Sequence, residues 1–501
     1  MKLADARKKE YGDFQTPMDL AEAAVRVVAD NYGAFSVVVE PTCGVGNFIE
    51  AARRARGDRA QYVGYEINEE YCERAAQRFA HSSTVRIEQA DFFQVDWKRE
   101  LRAFSRPLIL GNPPWVTNSA MGASGGSNLP PKSNRDRLKG IDAITGKANF
   151  DVAEWMILEL FDAAPEGSVV AMVCKAASAR KVLKGLWPRN AVSDAALYAT
   201  DAKKHFDADV DACLFVGVKS KSDDTTARLF DSFDDTSPGK KIGVVNNRFV
   251  SDVELYREVG AFDGVSPKSW RSGIKHDAAK IMELTRRDDA YINGLGERAD
   301  VEKEVVFPLL KSSDLANNRS TSSKWVVLPQ RRPGEETASL SRRAPLLWRY
   351  LTKHAVALDA RKSSIYRKRR FSIFGVGEYS FATWKVAISS LHKRFNFVVV
   401  GPQESKPTMV DDASYFLPCR SEEEATFLAA LLDSEPARRF FQSIVFRDAK
   451  RTATSEILNR LDLEKIANAL GRASDFRRHF PPLNEDNARQ LSLEFNESRV
   501  Q

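Results

Sequence analysis

The chain has 501 residues, enough for two or three domains, and a formal charge of +7. No apolar run reaches the length of a membrane span, and the start from Met1 to Lys9 shows no apolar signal-peptide core, so neither a membrane nor a secreted protein is expected. Five scattered cysteines (Cys43, Cys72, Cys174, Cys213, Cys419) and six dispersed histidines offer no CxxC pair and no metal-site spacing, as suits a metal-free protein of a reducing cytoplasm.

In chain order, the β-branched run Ser36–Glu40 predicts a strand that breaks into Pro41-Thr42-Cys43-Gly44-Val45-Gly46-Asn47-Phe48 and then a helix over Ile49–Arg56. Glycines at 44 and 46 let the backbone approach a ligand closely where that helix begins. A second strand, Ala60–Tyr65, ends at Glu66, where the acid of a βαβ unit hydrogen-bonds ribose hydroxyls. A third, Thr84–Glu88, is followed by Asp91, whose carboxylate can accept from an adenine amine, and by Phe92, which can stack on the ring. Any one of these acids alone reads as a helix cap or solvated strand end. Recurring at successive strand tips, they point to the carboxyl edge of an open parallel sheet, where ligands collect.

The apolar run Pro107–Leu110 and Gly111 lead into Asn112-Pro113-Pro114-Trp115. The Asn112 amide oxygen and the Pro113 carbonyl can accept hydrogen bonds from an exocyclic amine. Both prolines lack backbone donors, and Trp115 supplies a stacking face. Such a turn suits methylation of a nucleobase nitrogen. The segment 117–147 is a Gly-, Ser- and Asn-rich loop carrying Lys132, Arg135, Arg137, Lys139 and Lys147, and a polar loop of that length directly after a catalytic turn is expected to close over a bound strand. A crossover helix over Asn149–Ala163 and a buried strand over Ser168–Cys174 read as scaffold.

The front half resembles the S-adenosylmethionine-dependent amino-methyltransferases of DNA, specifically the gamma-order adenine-N6 enzymes of restriction–modification systems. It has their motif order: Gly12-Asp13-Phe14-Gln15-Thr16-Pro17, the glycine loop, Glu66, Asp91-Phe92, then Asn112–Trp115. The resemblance implies that Thr16 and Pro17 lie at the methionine carboxylate of S-adenosyl-L-methionine. Glu40, Thr42, Cys43, Gly44 and Gly46 would line its methionine end. Glu66 and Ile67 would meet the ribose side, Asp91 and Phe92 the adenine, and Asn112 would touch the cofactor as well as the base. It further implies that Phe206, in Lys204–Val218, stacks on a flipped base opposite Trp115; locally, a core Phe at a strand entrance reads equally well. The implied fold is α/β: a Rossmann-like, doubly wound methyltransferase sheet over 1–225, followed by a mixed α+β target recognition domain over 240–501.

A polar stretch, Ser220–Lys240, reads as the boundary, with an edge strand an alternative for Leu229–Phe233. Basic and acidic residues balance at 29 each over 1–220 but stand at 46 to 39 over 221–501, which places phosphate contacts mainly behind. The segments Trp270–Lys275, Phe307–Asp314 and Phe446–Arg451 resemble recognition-domain sequences, with Arg271, Lys275, Lys450 and Arg451 as candidate DNA contacts. Cations interleave with aromatics at Tyr366–Phe371 (Arg367, Lys368, Arg369, Arg370) and around Lys385, Lys393 and Arg394, in the manner of nucleic-acid surfaces, though solvated faces look alike. Ser421–Phe441 and Ser455–Leu470 have helical periodicity.

The expected activity is site-specific methyl transfer to adenine N6 in double-stranded DNA, without metal or membrane. RNA adenine or protein glutamine are the rival substrates, and cytosine N4 the rival atom. With the Thr-Pro element reached within 17 residues and no paired-carboxylate-plus-lysine cluster behind, a cognate restriction endonuclease would sit on a separate polypeptide.

Overall fold

The computed structural model describes residues 14–116 and 151–481, apart from 364, 365, 367, 368, 447 and 450. The expected loop over 117–147, with Lys132 and Arg135, lies outside the described residues, as do Arg367, Lys368 and Lys450. The chain forms two compact units, the first ending at Glu254 and the second beginning at Leu255.

A ten-stranded sheet organises the first unit. Its strands are β1 (Val37–Glu40), β2 (Gln61–Glu66), β3 (Val85–Gln89), β4 (Leu108–Gly111), β5 (Val169–Lys175), β6 (Ser193–Thr200), β7 (Ala212–Val218), β8 (Thr226–Phe230), β9 (Lys240–Val245) and β10 (Arg248–Val250). They lie in the order β10-β9-β8-β6-β7-β5-β4-β1-β2-β3. β3, β2, β1, β4 and β5 run parallel, while β7 inserts antiparallel between β5 and β6.

The central strands are buried up to the partly exposed Lys175 that ends β5, as β-branched and apolar runs in a sheet covered on both faces must be. From β1 the chain winds outward through β2 and β3, then returns to the other side of β1 as β4. That reversal opens a crevice at the carboxyl ends of β1 and β4, where Glu40 and Asn112 stand. Residues 226–250, part of which read as a polar boundary, complete this sheet: β8 pairs parallel with β6, and β9 and β10 follow as an antiparallel meander.

The second unit is mixed α+β. One sheet has the order β13-β12-β15-β14-β18, from β12 (Glu283–Arg287), β13 (Ala290–Asn293), β14 (Val306–Leu310), β15 (Lys324–Val327) and β18 (Met409–Val410). The other has the order β11-β19-β16-β17, from β11 (Arg271–Ser272), β16 (Trp384–Ser389), β17 (Val398–Val400) and β19 (Ser414–Cys419). The helical stretch predicted over Ser421–Phe441 is two helices, Glu422–Leu432 and Glu435–Ile444. Ser434 adopts an extended conformation and Pro436, lacking an N–H, can only open a new helix. Ser455–Leu470 divides likewise into Ser455–Leu458 and Leu463–Ala469, the second capped by Asp462.

Candidate active site

At the carboxyl end of β1 the glycine turn is held by two acids. Gly46 caps the helix Asn47–Arg56 with φ 78°, and a Cβ there would lie 2.7 Å from the Phe79 ring, so only glycine fits. Glu66, at the tip of β2, accepts from the Gly44 N–H through Oε2 at 2.7 Å and from the Asn68 N–H through Oε1 at 2.8 Å. One carboxylate thus fixes the loop to the neighbouring strand. Glu40 is 2% exposed and accepts from the Ile49 N–H at 3.2 Å. Burial, and secondarily the nearby Glu66 charge, push its carboxyl well above the usual range.

Because the folded chain holds that proton more tightly than the unfolded chain does, pH above the usual carboxylate range charges the unfolded state first and drains stability. Glu40→Gln, which keeps an acceptor for Ile49, should therefore melt above the parent near neutral pH, with the difference vanishing at about pH 4. Thermal melts across that range check it; parallel curves at all pH would show that Glu40 carries no such load.

Past β3, Asp91 accepts from the Phe93 N–H and from Gln94 Nε2, both at 3.0 Å. Phe92 is 5% exposed; its ring lies 4.8 Å from that of Trp97, and its carbonyl accepts from Trp97 Nε1. The partly exposed ring beside Asp91 is Phe93, which packs against Trp155 at 5.3 Å. Ile67, 49% exposed directly after Glu66, presents an apolar side chain at the rim. Cys43 is buried beneath the loop, where burial pushes its thiol up and leaves it uncharged.

The segment 14–17 joins the glycine loop to the turn after β4. Asn112 Nδ2 donates to the Phe14 carbonyl at 2.9 Å and to Thr16 Oγ1 at 3.1 Å. The Thr16 carbonyl accepts from Asn47 Nδ2 at 2.7 Å, and Gln15 Oε1 from the Val45 N–H at 3.3 Å. Thr42 Oγ1 donates to the Asn112 carbonyl at 3.4 Å, and Pro17 ends the segment by starting the helix Met18–Tyr32. Since the Phe14 carbonyl can only accept, it fixes which way the amide points. Asn112 Oδ1 is left buried with no hydrogen-bond partner among the described residues. A buried acceptor of that kind is costly unless a ligand donor meets it.

Trp115 and Phe206, expected to face each other across a base, touch each other instead. Their ring centroids are 4.9 Å apart at 67°, edge to face, and Phe14 packs on both, at 5.5 Å and 6.0 Å. The rings are too close and too tilted to hold a base between parallel faces, so such a clamp requires one ring to turn. Trp115 Nε1 donates to the Val173 carbonyl at 3.3 Å, so Phe206, at the end of the short helix Ala202–Phe206, is the ring with less to break. Phe14 and Gln15 belong to the Thr-Pro element and Asn47 to the glycine turn, but nothing in the sequence marks these contacts, which join residues about 30 to 100 positions apart.

The N-6 DNA Methylase family model matches residues 1–181. The Type II methyltransferase M.NspV of a Nostoc species is 43% identical over 474 residues, covering 92% of this chain and 98% of its own. The chain belongs to the type II DNA methyltransferases. A second relative, the Type II methyltransferase M.CvrRI of Paramecium bursaria Chlorella virus XZ-6E, is 30% identical over 118 residues, 23% of this chain and 27% of its own. Among solved structures, the type IIL restriction–modification enzyme MmeI in complex with DNA aligns with TM-score 0.52 and 15% identity. That match covers 88% of this chain and spans 65% of MmeI's length, and it speaks to the fold alone.

This methyltransferase is S-adenosylmethionine-dependent and acts on adenine N6 of DNA. Rival RNA and protein glutamine substrates are set aside by that membership. No helix among the described residues is long and apolar enough to cross a membrane. The lining is compatible with the cofactor: two carboxylates that can accept from hydroxyls or an amine, at the tip of β2 and just past β3, a glycine-capped helix start, and an apolar rim at Ile67.

Among the basic residues of the methyltransferase's second unit, Lys385 is displaced from its expected role. It is 1% exposed on β16, its Nζ donating to the Ala382 carbonyl at 2.5 Å, and burial pushes its ammonium down to about 7. It is a core residue and cannot reach a phosphate. The aromatics of the Tyr366–Phe371 run are also buried, Tyr366 beneath the Arg361 guanidinium at 3.8 Å. Arg369 and Arg370 pair with Glu336 and Asp359.

Arg271 lies over the Tyr379 ring at 4.9 Å, and Lys275 is 3.6 Å from Asp277. Arg451 donates to the Asp412 carbonyl at 2.7 Å. Lys393 and Arg394 are exposed between β16 and β17.

Proposed function

We propose that the first unit methylates an adenine swung out of double-stranded DNA, with Asn112 Oδ1 and the Pro113 carbonyl accepting hydrogen bonds from its N6 amine. The observation that carries this reading is the buried, unpartnered Asn112 Oδ1, whose amide nitrogen is committed to Phe14 and Thr16. Prolines at 113 and 114 place no backbone N–H directly after it, and the amide's own donor is already engaged, so an acceptor faces the amine.

Adenine N6 is a weak nucleophile because its lone pair is delocalised into the ring. Acceptors fixed on its two hydrogens favour the tetrahedral nitrogen and aim it, a matter of positioning and electrostatics. The cofactor supplies an electrophilic methyl on a sulfonium. Glu66 and Ile67 hold its ribose side, Asp91 its adenine amine with Phe92 or Phe93 at the ring. Thr16, Pro17, Glu40 and the Thr42–Gly46 backbone hold its methionine end. Trp115 stacks on the flipped base, which offsets about 1–3 kcal/mol of the cost of unstacking it.

The second unit, on this reading, is the target recognition domain, with Arg271, Lys275, Lys393, Arg394 and Arg451 as its DNA contacts. The enzyme works in the cytoplasm as the modification partner of a restriction endonuclease carried on a separate chain. Sequencing modified bases in DNA from cells expressing this protein tests the core of the proposal. N6-methyladenine at one recurring short sequence is expected; methylcytosine, or unmodified DNA, would overturn it.

A further inference from the structure

Beyond the groups that meet the base, the turn needs something to hold its backbone. Pro113 and Pro114 remove two of its backbone N–H groups, so beyond the side chains of Asn112 and Trp115 it has few donors of its own to brace it. Its carbonyls must be fixed from outside. Lys175, the last residue of β5, donates from Nζ to the Trp115 carbonyl at 2.9 Å and to Asp151 Oδ2 at 2.7 Å. Asp151 is buried, and its other oxygen accepts from the Ala153 N–H at 3.1 Å, capping the helix Val152–Ala163. The next carbonyl, Val116, accepts from the Val152 N–H at 2.9 Å.

We infer that Lys175, held by Asp151, is a positioning residue for methyl transfer: its ammonium sets the Trp115 carbonyl and through it the register of Asn112 and Pro113. This rests on the reading of Asn112–Trp115 as the catalytic turn. Three features argue that the contact is more than an ordinary ion pair. Lys175 bonds the turn's own backbone, and does so through a charge-assisted bond, which is shorter and stronger than a neutral one. Asp151 anchors the ammonium from a rigid helix start, so the donor cannot swing away on its flexible stem. Trp115 is also tied to β5 by its indole, which leaves the carbonyl contact to fix the remaining rotation.

The test separates positioning from stability. Lys175→Met alone leaves Asp151 buried and unpaired, so it is paired with Lys175→Met/Asp151→Asn, which removes both charges while Asn keeps the helix cap. With cofactor and DNA saturating, the double variant should transfer methyl about 10- to 100-fold more slowly in a single turnover. Its cofactor affinity, DNA KM and melting temperature should stay near those of the parent. Lys175→Arg, which keeps a cationic donor, should recover most of the rate. A double variant that transfers at the parental rate overturns the inference. Asn112→Ala run alongside distinguishes the failures: if it too transfers at the parental rate, the assignment of the turn has failed, and not merely that of Lys175.

Discussion

Asn112→Ala should lower turnover by about 1,000-fold or more, while S-adenosylmethionine affinity changes far less. Two losses combine. The acceptor Oδ1, a buried side-chain oxygen without a partner among the described residues, disappears from in front of the amine. The Nδ2 bonds to Phe14 and Thr16 also go, so the turn is no longer tied to the segment that reaches the glycine loop. Either loss alone resembles removal of one preorganised group from an active site, worth about 100- to 1,000-fold. Glu66, Asp91 and the helix start are untouched, which is why cofactor binding survives. Single-turnover methyl transfer and calorimetric titration of the cofactor measure the two quantities. Turnover within tenfold of the parent would remove Asn112 from the chemistry.

Gly273→Ala should cripple the second unit and spare the first. Three backbone segments meet at this residue. Gly273 N–H donates to the Ser414 carbonyl at 3.0 Å, Ile274 N–H to Val410 at 2.8 Å, and Lys275 pairs with Phe374 in both directions. A Cβ on Gly273 would lie 2.1 Å from the Asp411 carbonyl oxygen and 2.4 Å from that of Val410. These are backbone atoms, and Asp411 cannot yield easily: its carboxylate accepts from the Ser312 N–H and Ser414 Oγ and pairs with Lys311. On the other side the backbone of Gly375, at φ 66°, runs so close that a Cβ there would lie 2.1 Å from the Gly273 carbonyl oxygen, which leaves the strand little room to retreat that way.

Overpacking against a fixed backbone costs about 3 kcal/mol, and for a unit of this size that lowers its melting transition by roughly 10 °C. Scanning calorimetry should resolve the lowered transition, and specific DNA retention on filters should fall. Cofactor binding should persist, since its residues lie within the first unit. Unchanged melting and DNA retention would show that the crossing of these strands is looser than its geometry.

Acids at successive strand tips were legible because each βαβ unit repeats the same constraint locally. A β-branched run must be buried, a glycine must turn, and the first polar residue past the strand must face the crevice. Glu40, Glu66, Asp91 and Asn112 therefore stand at the carboxyl ends of β1, β2, β3 and β4 or just beyond them, with strand limits shifted by about a residue. Lys385 was misplaced for the opposite reason. A lysine beside aromatics looks alike whether its stem lies on a surface or inside a sheet, and only the pairing of β16 between β17 and β19 buries it. Phe92 and Phe93 raise the same difficulty, since adjacent aromatics after a strand must divide between core and rim.

What the sequence determined by itself is the succession of strands along the front half and the chemistry at their ends, because those depend on short-range spacing. Tertiary structure alone decided the rest. It brought the carbonyl of Phe14 against Asn112, 98 positions away, and so chose which amide atom stays open. Trp115 and Phe206 came into contact the same way, as did Lys175 with the Trp115 carbonyl. Such contacts have no period or motif in the chain; they exist only once packing has brought separate strand ends into one crevice.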